Sequence, residues 1–195
     1  EVPSETHESV SAGIIEFLAS QPDFMTLRKN NVVVTVPNVK WDYGKLIPDL
    51  AIWPKNGNPP PRKTRDPSVV IEIAISESLE HVLTKSKEYI KPDTEVQCYI
   101  AIKAWGPKNA DVTFSALCVV FDRQANGKPR RRNKSTISFG TAACTDQQVP
   151  DKAFFASIRG VGNPDDPLVA PGTDFYWVPV LTSLVCHGSG YAPPD

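Results

Sequence analysis

The sequence predicts an α/β fold in which a mixed β-sheet is flanked by helices. Two amphipathic segments predict helices, and four segments rich in β-branched residues predict strands. Their order along the chain is helix, three strands, helix, strand. Two strands joined through a helix pair in parallel, so part of the sheet is parallel. The segment Ser68–Ile75 is apolar almost throughout rather than alternating, which indicates that both faces of the sheet are covered.

Proline and serine residues bound the two helices. The first helix is predicted at residues 3–20, where Ser4 is a capping residue and Pro22 follows the end. The second is predicted at residues 78–91 and ends before Pro92. The accompanying strands are predicted at residues 32–37, 47–53, 68–75 and 96–103.

The character of the chain changes after Trp105. We therefore expect a core at residues 1–105 and a β-rich extension at residues 106–195, packed on the same domain. Strands at residues 112–122 and 135–142 predict a hairpin in the extension.

The last third of the chain predicts little regular structure. Residues 146–174 are rich in proline, glycine and aspartate, and Phe175–Leu184 predicts an edge strand because Pro179 interrupts it. Whether residues 146–195 wrap the core, form a lid or mediate a homodimer is left open by the sequence.

Composition is that of a soluble globular protein, with 41% hydrophobic and 22% charged residues. A net charge of −1 gives no overall field that attracts nucleic acid, so such binding requires a local basic patch. The apolar runs are shorter than the roughly 20 residues of a membrane helix, and we expect no membrane partner. Because the sequence begins at Glu1 rather than Met, we expect that a preceding segment was removed, with any targeting signal it held.

The four cysteines do not form a zinc-binding pattern. None of Cys98, Cys118, Cys144 and Cys186 lies within four residues of another. Three of them lie in apolar, strand-like segments, which favours buried, reduced thiols and an intracellular protein. Their even number leaves a secreted, disulfide-bonded protein as an alternative.

Two carboxylates lie where apolar residues are expected. Glu72 is in the middle of the most apolar strand, and Asp49 follows Pro48 at the start of another. A buried carboxylate must be paired, protonated or bound to a cation, because an isolated charge in a core is very costly. Two such groups on adjacent strands make an oxygen-rich site that suits Mg²⁺ or Mn²⁺. The alternative is that each one pairs with a nearby lysine or arginine.

These residues resemble the core motif of the PD-(D/E)xK nuclease superfamily, and within it the Uma2-like family of restriction-endonuclease-like proteins. The matching residues, in chain order, are Pro3-Ser4 and His7, Pro48-Asp49, Ile71-Glu72-Ile73-Ala74, Ser76, Ser78, Lys85 and Tyr89. The superfamily's usual lysine, two positions after the glutamate, is replaced by Ala74, and the family lysine lies in the helix at Lys85 instead. An aspartate that the family often carries before that lysine is replaced by His81.

The resemblance implies a restriction-endonuclease-like αβββαβ core and a metal-dependent endonuclease that acts on DNA rather than RNA. Asp49 and Glu72 would hold Mg²⁺ or Mn²⁺ with the backbone carbonyl of Ile73, and Lys85 would be the catalytic lysine. His7, on the apolar face of the first helix, is a further candidate ligand, although a packed core histidine is the simpler interpretation. A catalytically degraded member that binds nucleic acid or protein is the alternative, favoured by Ala74 and His81.

Two groups of cations are candidates for contact with nucleic acid. One lies on the loop between the acidic strands and the other on the predicted hairpin turn at residues 125–134. The second group also resembles a nuclear-localisation sequence, and a solvated loop is the alternative interpretation for it. The two groups are Arg62, Lys63 and Arg65, and Lys128, Arg130, Arg131, Arg132 and Lys134.

Overall fold

A computed structural model describes residues 32–35, 46–54, 66–106, 115–140 and 142–160 of the chain, together with Ala12. These residues form one seven-stranded sheet with three short helices. The strands are β1 (Val32–Thr35), β2 (Leu50–Pro54), β3 (Val69–Ala74), β4 (Cys98–Trp105), β5 (Ser115–Arg123), β6 (Pro129–Gly140) and β7 (Arg159–Gly160). The helices are α1 (Leu79–Thr84), α2 (Ser86–Tyr89) and α3 (Lys152–Phe155).

The sheet is mixed, and its strands lie in sequence order. β1, β2 and β3 form an antiparallel meander, and β4 then lies parallel to β3 after the α1–α2 crossover. β5 and β6 continue antiparallel to β4, and β7 lies parallel to β6. The predicted α/β class with a mixed sheet is confirmed, and the strands beyond Trp105 extend the sheet of the core.

Both faces of the central strands are buried, as the continuous apolar sequences predict. Val70, Tyr99 and Leu117 are fully buried on the face that packs against α1, α2 and α3. Ile71 and Ile100, which point to the opposite face, are also fully buried. Sequence alternation is absent here because neither face meets solvent.

The predicted helix at 78–91 is divided into α1 and α2 at Lys85. Ser78 caps α1, with its side chain accepting the His81 backbone N–H at 3.1 Å. The Val82 carbonyl accepts the Tyr99 hydroxyl at 2.5 Å, and the Leu83 carbonyl accepts the Ser86 hydroxyl at 2.7 Å. Two backbone carbonyls of the helix thus accept hydrogen bonds from side-chain hydroxyl groups. These bonds interrupt the helix although it contains no proline.

The hairpin of the extension is present, but its turn is shorter than predicted. The turn lies around Gly127, and β6 already begins at Pro129. The cations at positions 130–134 therefore lie in a strand and not at a hairpin tip, which corrects the predicted turn at 125–134. Residues 132–135 of β6 stand opposite the single residue Val120, because the register shifts between Val119 and Phe121.

The extension is less irregular than predicted, because α3 and β7 lie within residues 146–174. Asp151 caps α3 by accepting the Phe154 backbone N–H at 2.9 Å. The predicted strand at 175–184 and the predicted helix at 3–20 lie outside the described residues, except that Ala12 is helical. In the described part of the chain, no helix is both long and apolar enough to span a bilayer.

Substituting Gly127 by alanine is expected to lower the free energy of unfolding by about 1–2 kcal/mol. Gly127 has a φ of 74°, and an added Cβ would lie 3.0 Å from Cα of Pro92. Urea denaturation measures the effect. Gly106→Ala is the control because an added Cβ at that position meets no atom within 4 Å. Equal effects of the two substitutions would contradict the role assigned to the turn.

Candidate functional site

The site lies at the edge of the sheet where β3 and β4 end and β2 begins. Leu50 pairs with Ile71 in the antiparallel ladder, so Asp49 lies one step beyond, opposite Glu72. Cross-strand neighbours point to the same face of a sheet. The Ile73 backbone N–H donates to Asp49 Oδ2 at 2.6 Å, which fixes the carboxylate beside the end of β3. The structure therefore brings together the two carboxylates singled out in the sequence.

Glu72 is a buried carboxylate with both oxygens engaged. It is 5% exposed, Oε2 accepts Lys85 Nζ at 3.0 Å and Oε1 accepts the Tyr89 hydroxyl. Burial raises the pKa of Glu72, and the Tyr89 hydrogen bond and the Lys85 charge offset this rise only in part. The nearby Asp49 charge raises the Glu72 pKa further. Glu72 is thus a paired carboxylate in a site that disfavours further negative charge.

Lys85 connects Glu72 to the surface through a second carboxylate. Its ammonium also donates to Glu77 Oε2 at 3.0 Å, and Glu77 Oε1 lies 3.0 Å from His81 Nε2. Burial acts to lower the pKa of Lys85, but the two carboxylates more than offset this and the pKa is raised. Lys85 therefore remains a cation at neutral pH. His81, 65% exposed at its side chain, ends the chain of contacts at the surface.

Tyr89 orients Glu72 from the second helical segment. Its ring stacks on that of Tyr99 with centroids 5.5 Å apart, and its hydroxyl donates to Glu72. Burial raises the pKa of Tyr89 far above its ordinary value of 10.0, so the hydroxyl keeps its proton. The Tyr99 hydroxyl also bonds to the Val82 carbonyl, where the helix is interrupted between α1 and α2. The stacked rings of Tyr89 and Tyr99 therefore help to place Lys85 and Tyr89 over the end of β3.

An open depression of about 360 Å³ reaches Lys85 from solvent. Its charged lining consists of two carboxylates, one lysine and one histidine, a balance that attracts cations more than phosphates. The lining residues are Leu46, Ser78, Glu80, His81, Thr84, Lys85 and Glu88. Of the site residues described above, the depression is lined by Lys85 and His81.

The donor set fits a hard divalent cation that keeps several waters. Among the described residues, no group of three or more His, Cys, Asp or Glu side chains is arranged to hold a metal. Mg²⁺ is commonly bound through one or two carboxylates plus water and substrate oxygens. Asp49 and Glu72 supply such a pair, and a carboxylate oxygen can accept more than one partner. The Ile73 carbonyl follows Glu72 at the same strand end, as the family resemblance requires of the third ligand.

The candidate phosphate-binding residues differ in their surroundings: some are bound within the protein, some are exposed, and others lie outside the described residues. Arg132 forms two hydrogen bonds to Asp122, both 2.6 Å long, and the Arg131 guanidinium lies 4.4 Å from the ring centroid of Phe154. These two side chains hold the β5–β6 hairpin and α3 together. Lys128 and Arg130 are exposed. The other candidates, His7, Arg62, Lys63, Arg65 and the side chain of Lys134, lie outside the described residues.

Three of the cysteines are buried free thiols. Burial raises the pKa of Cys98 and of Cys118 to about 12, and it also raises the pKa of Cys144. Thiols that resist ionisation are poor nucleophiles and poor metal ligands. These positions belong to the core, as predicted, and Cys186 lies outside the described residues.

Two functional candidates were missed in the sequence, Glu77 and Lys103. Glu77 looked like an ordinary residue before a helix, although it holds Lys85 in place. Lys103 is 4% exposed and donates to the Ile75 carbonyl. A signal for Lys103 was present, because it is the only charged residue of the apolar segment Val96–Lys103.

Comparison with known proteins gives no relative for this chain. No family model, no curated protein and no solved structure matches it. The resemblance to PD-(D/E)xK nucleases therefore stays a prediction, and function has to be inferred from the geometry of the site itself.

Proposed function

We propose that this chain is a divalent-metal-dependent nuclease that hydrolyses phosphodiester bonds of DNA. The observation that carries the proposal is that Asp49 directly precedes the Leu50–Ile71 pair of β2 and β3 and so lies beside Glu72, whose Oε2 is 3.0 Å from Lys85 Nζ. Two carboxylates at one sheet edge can hold a metal ion that activates water for phosphodiester hydrolysis, and a lysine beside them can stabilise the developing negative charge.

The order of the elements supports a restriction-endonuclease-like core. An antiparallel meander of three strands is followed by a helical crossover and a fourth strand parallel to the third. This is the strand and helix order that the resemblance implies after its first helix. Ligands of open α/β sheets commonly bind at the carboxyl ends of parallel strands, where Glu72 lies.

In the reaction, the oxygen of a water forms a bond to phosphorus, one ester P–O bond breaks, and the water proton passes to solvent while the leaving oxygen is protonated. Bound Mg²⁺ or Mn²⁺ would lower the pKa of that water and neutralise charge on the phosphate. Asp49 and Glu72 would hold the cation, with Tyr89 fixing the orientation of the Glu72 carboxylate. Lys85 stays charged and stabilises negative charge at the phosphate.

DNA has to be bound by a local patch because the net charge of the chain is −1. Lys128 and Arg130 are exposed and have no described carboxylate partner, so they are the candidates for contact with the phosphate backbone. Arg131 and Arg132 contribute less, since their guanidinium groups pack on Phe154 and pair with Asp122.

A second candidate function is a nuclease-like module without catalysis that binds nucleic acid or protein. The observation in its favour is that both oxygens of Glu72 already accept hydrogen bonds within the protein. Ala74 at the usual lysine position points the same way. In this alternative the Glu72–Lys85 pair stabilises the fold and no metal displaces it.

The experiment that separates the two candidates is cleavage of plasmid and single-stranded DNA with Mg²⁺ or Mn²⁺. We expect cleavage that EDTA abolishes and that Asp49→Asn reduces by about a hundredfold or more. Cleavage of RNA in preference to DNA would revise the substrate. Absence of cleavage, together with absence of Mn²⁺ binding by calorimetry, would contradict the nuclease and favour the binding module.

A further inference from the structure

Lys103 lies next to the position at which the sequence lacks a lysine. In the parallel ladder of β3 and β4, Glu72 pairs with Ala101 and Ala74 pairs with Lys103. Paired residues of adjacent strands point to the same face, so Lys103 shares the face of Glu72. Its ammonium donates to the carbonyl of Ile75, the residue that follows β3. Lys103 therefore reaches the same sheet edge as the carboxylate pair.

Lys103 is a buried residue whose ammonium has few partners. The residue is 4% exposed, and no carboxylate of the described residues forms a salt bridge with it. An ammonium has three N–H donors, and among the described residues its contacts are the Ile75 carbonyl and the ring of Trp105, 5.5 Å away. A partly buried ammonium with one acceptor is costly, and an anion that completes its environment offsets that cost.

The contrast with Lys85 shows that the two lysines have different roles. Lys85 is held by Glu72 and Glu77, whereas Lys103 is influenced by Glu77 without contacting it. Burial lowers the pKa of Lys103, and the Glu77 charge offsets only part of this effect. A ligand that carries negative charge would relieve the burial cost at Lys103 but would compete with carboxylates at Lys85.

We propose that Lys103 is a second catalytic lysine, which contacts a non-bridging oxygen of the scissile phosphate from the strand beside Ala74. The proposal rests on the proposed nuclease function and adds to that site a second phosphate contact, beside Lys85. The anion that Lys103 binds is thus a phosphodiester group. Negative charge that develops on this oxygen during attack by water would be stabilised by the buried ammonium.

The test compares the wild type with Lys103→Met and Lys103→Gln. The glutamine variant keeps a donor for the Ile75 carbonyl and removes the charge, so it is the decisive variant if the methionine variant does not fold. Exposed Lys87 on α2 provides the control, Lys87→Met. The readouts are kcat and KM for DNA cleavage, and the salt dependence of binding to a short DNA duplex in Ca²⁺.

We expect both Lys103 variants to lower kcat by about a hundredfold, with KM changed far less. We also expect the slope of log Kobs against log salt to decrease in magnitude by about 0.9, the value of one phosphate contact, with no change in Lys87→Met.

Unchanged kcat and slope in a folded Lys103 variant would overturn the proposal and leave the proposed nuclease function intact. A wild type that binds DNA without cleaving it would overturn the nuclease, and the slope would still decide whether Lys103 binds a phosphate. A wild type that neither binds nor cleaves DNA would overturn both.

Discussion

Substituting Glu72 by glutamine is expected to reduce Mg²⁺- or Mn²⁺-dependent cleavage by about a thousandfold, as for loss of a group that stabilises transition-state charge. The amide keeps the size of the side chain and can still accept the Tyr89 hydroxyl. It carries no charge, however, so among the described residues Lys85 keeps only Glu77 as a carboxylate partner. The proposed metal ion would lose one of its two carboxylate ligands. Initial rates of plasmid cleavage over a range of metal concentrations measure the effect.

The matched control for this substitution is Glu95→Gln, which also removes one negative charge. Glu95 is exposed and its backbone N–H contacts Asp66, away from the site. We expect its rate to stay within about twofold of the wild type, as for a surface substitution. DNA cleavage by Glu72→Gln at the wild-type rate would point to a contaminating enzyme and contradict the site assignment. Lost cleavage with unchanged Mn²⁺ binding by calorimetry would show that Glu72 acts on the reaction without holding the metal.

The strands of the core could be predicted from the sequence because burial on both faces leaves a simple pattern. Ser68–Ile75 and Val96–Lys103 are apolar runs of strand length. β3 lies within the first run, and β4 begins within the second and continues to Trp105. Glu72 could be recognised for the same reason, since a carboxylate inside such a run needs a partner. Its pairing with Lys85 was one of the two outcomes that the sequence left open.

The division of the helix and the start of β6 could not be predicted, because both depend on contacts between distant residues. The helix is interrupted where the Tyr99 hydroxyl, on β4, reaches the Val82 carbonyl. The basic residues after Pro129 look like a turn in sequence, but Arg132 becomes part of a strand through its pair with Asp122. Local propensity is a weak guide wherever a tertiary contact of this kind decides the backbone.

The position of Lys103 in the site also depends on tertiary structure. Its pairing with Ala74 requires the register of a parallel ladder, and no local pattern specifies which residues of two strands stand side by side. The family motif has its lysine within β3 or in the following helix, whereas the lysine beside Ala74 across the sheet belongs to β4. A lysine can thus approach the same point in space from a different element, and sequence spacing does not reveal it.

Replacing Lys85 by methionine is expected to lower the free energy of unfolding by about 3 kcal/mol at pH 7, because it leaves a buried carboxylate without its cation. The Glu72 side chain is 6% exposed and that of Lys85 is 17% exposed, so solvent screens the pair little. Chemical denaturation measures the loss. Lys87→Met, at an exposed position of the neighbouring helical turn, is the control, and we expect a change within about 0.5 kcal/mol.

The loss in Lys85→Met is expected to depend on pH in a direction that identifies its cause. Burial already raises the pKa of Glu72 above its ordinary 4.5, and removal of the Lys85 charge raises it further. A carboxyl whose pKa is raised on folding binds more protons in the folded state, so its stability contribution is complete below pH 4.5 and is lost as pH rises through the folded pKa. The deficit of the variant relative to the wild type should therefore be small in acid and grow toward neutral pH.

A double substitution separates the charge pair from simple loss of packing. In Glu72→Gln/Lys85→Met both charges are removed, and replacement of a whole buried pair is often close to neutral. We therefore expect the double variant to be more stable at pH 7 than Lys85→Met alone, and its deficit to vary little between acid and neutral pH. A double variant as unstable as the single one, or a deficit in Lys85→Met that is the same at all pH values, would show that Lys85 stabilises the fold through its packing. In that case Glu72 does not need the lysine as a counter-ion, and it is either protonated or neutralised by a cation from outside the chain.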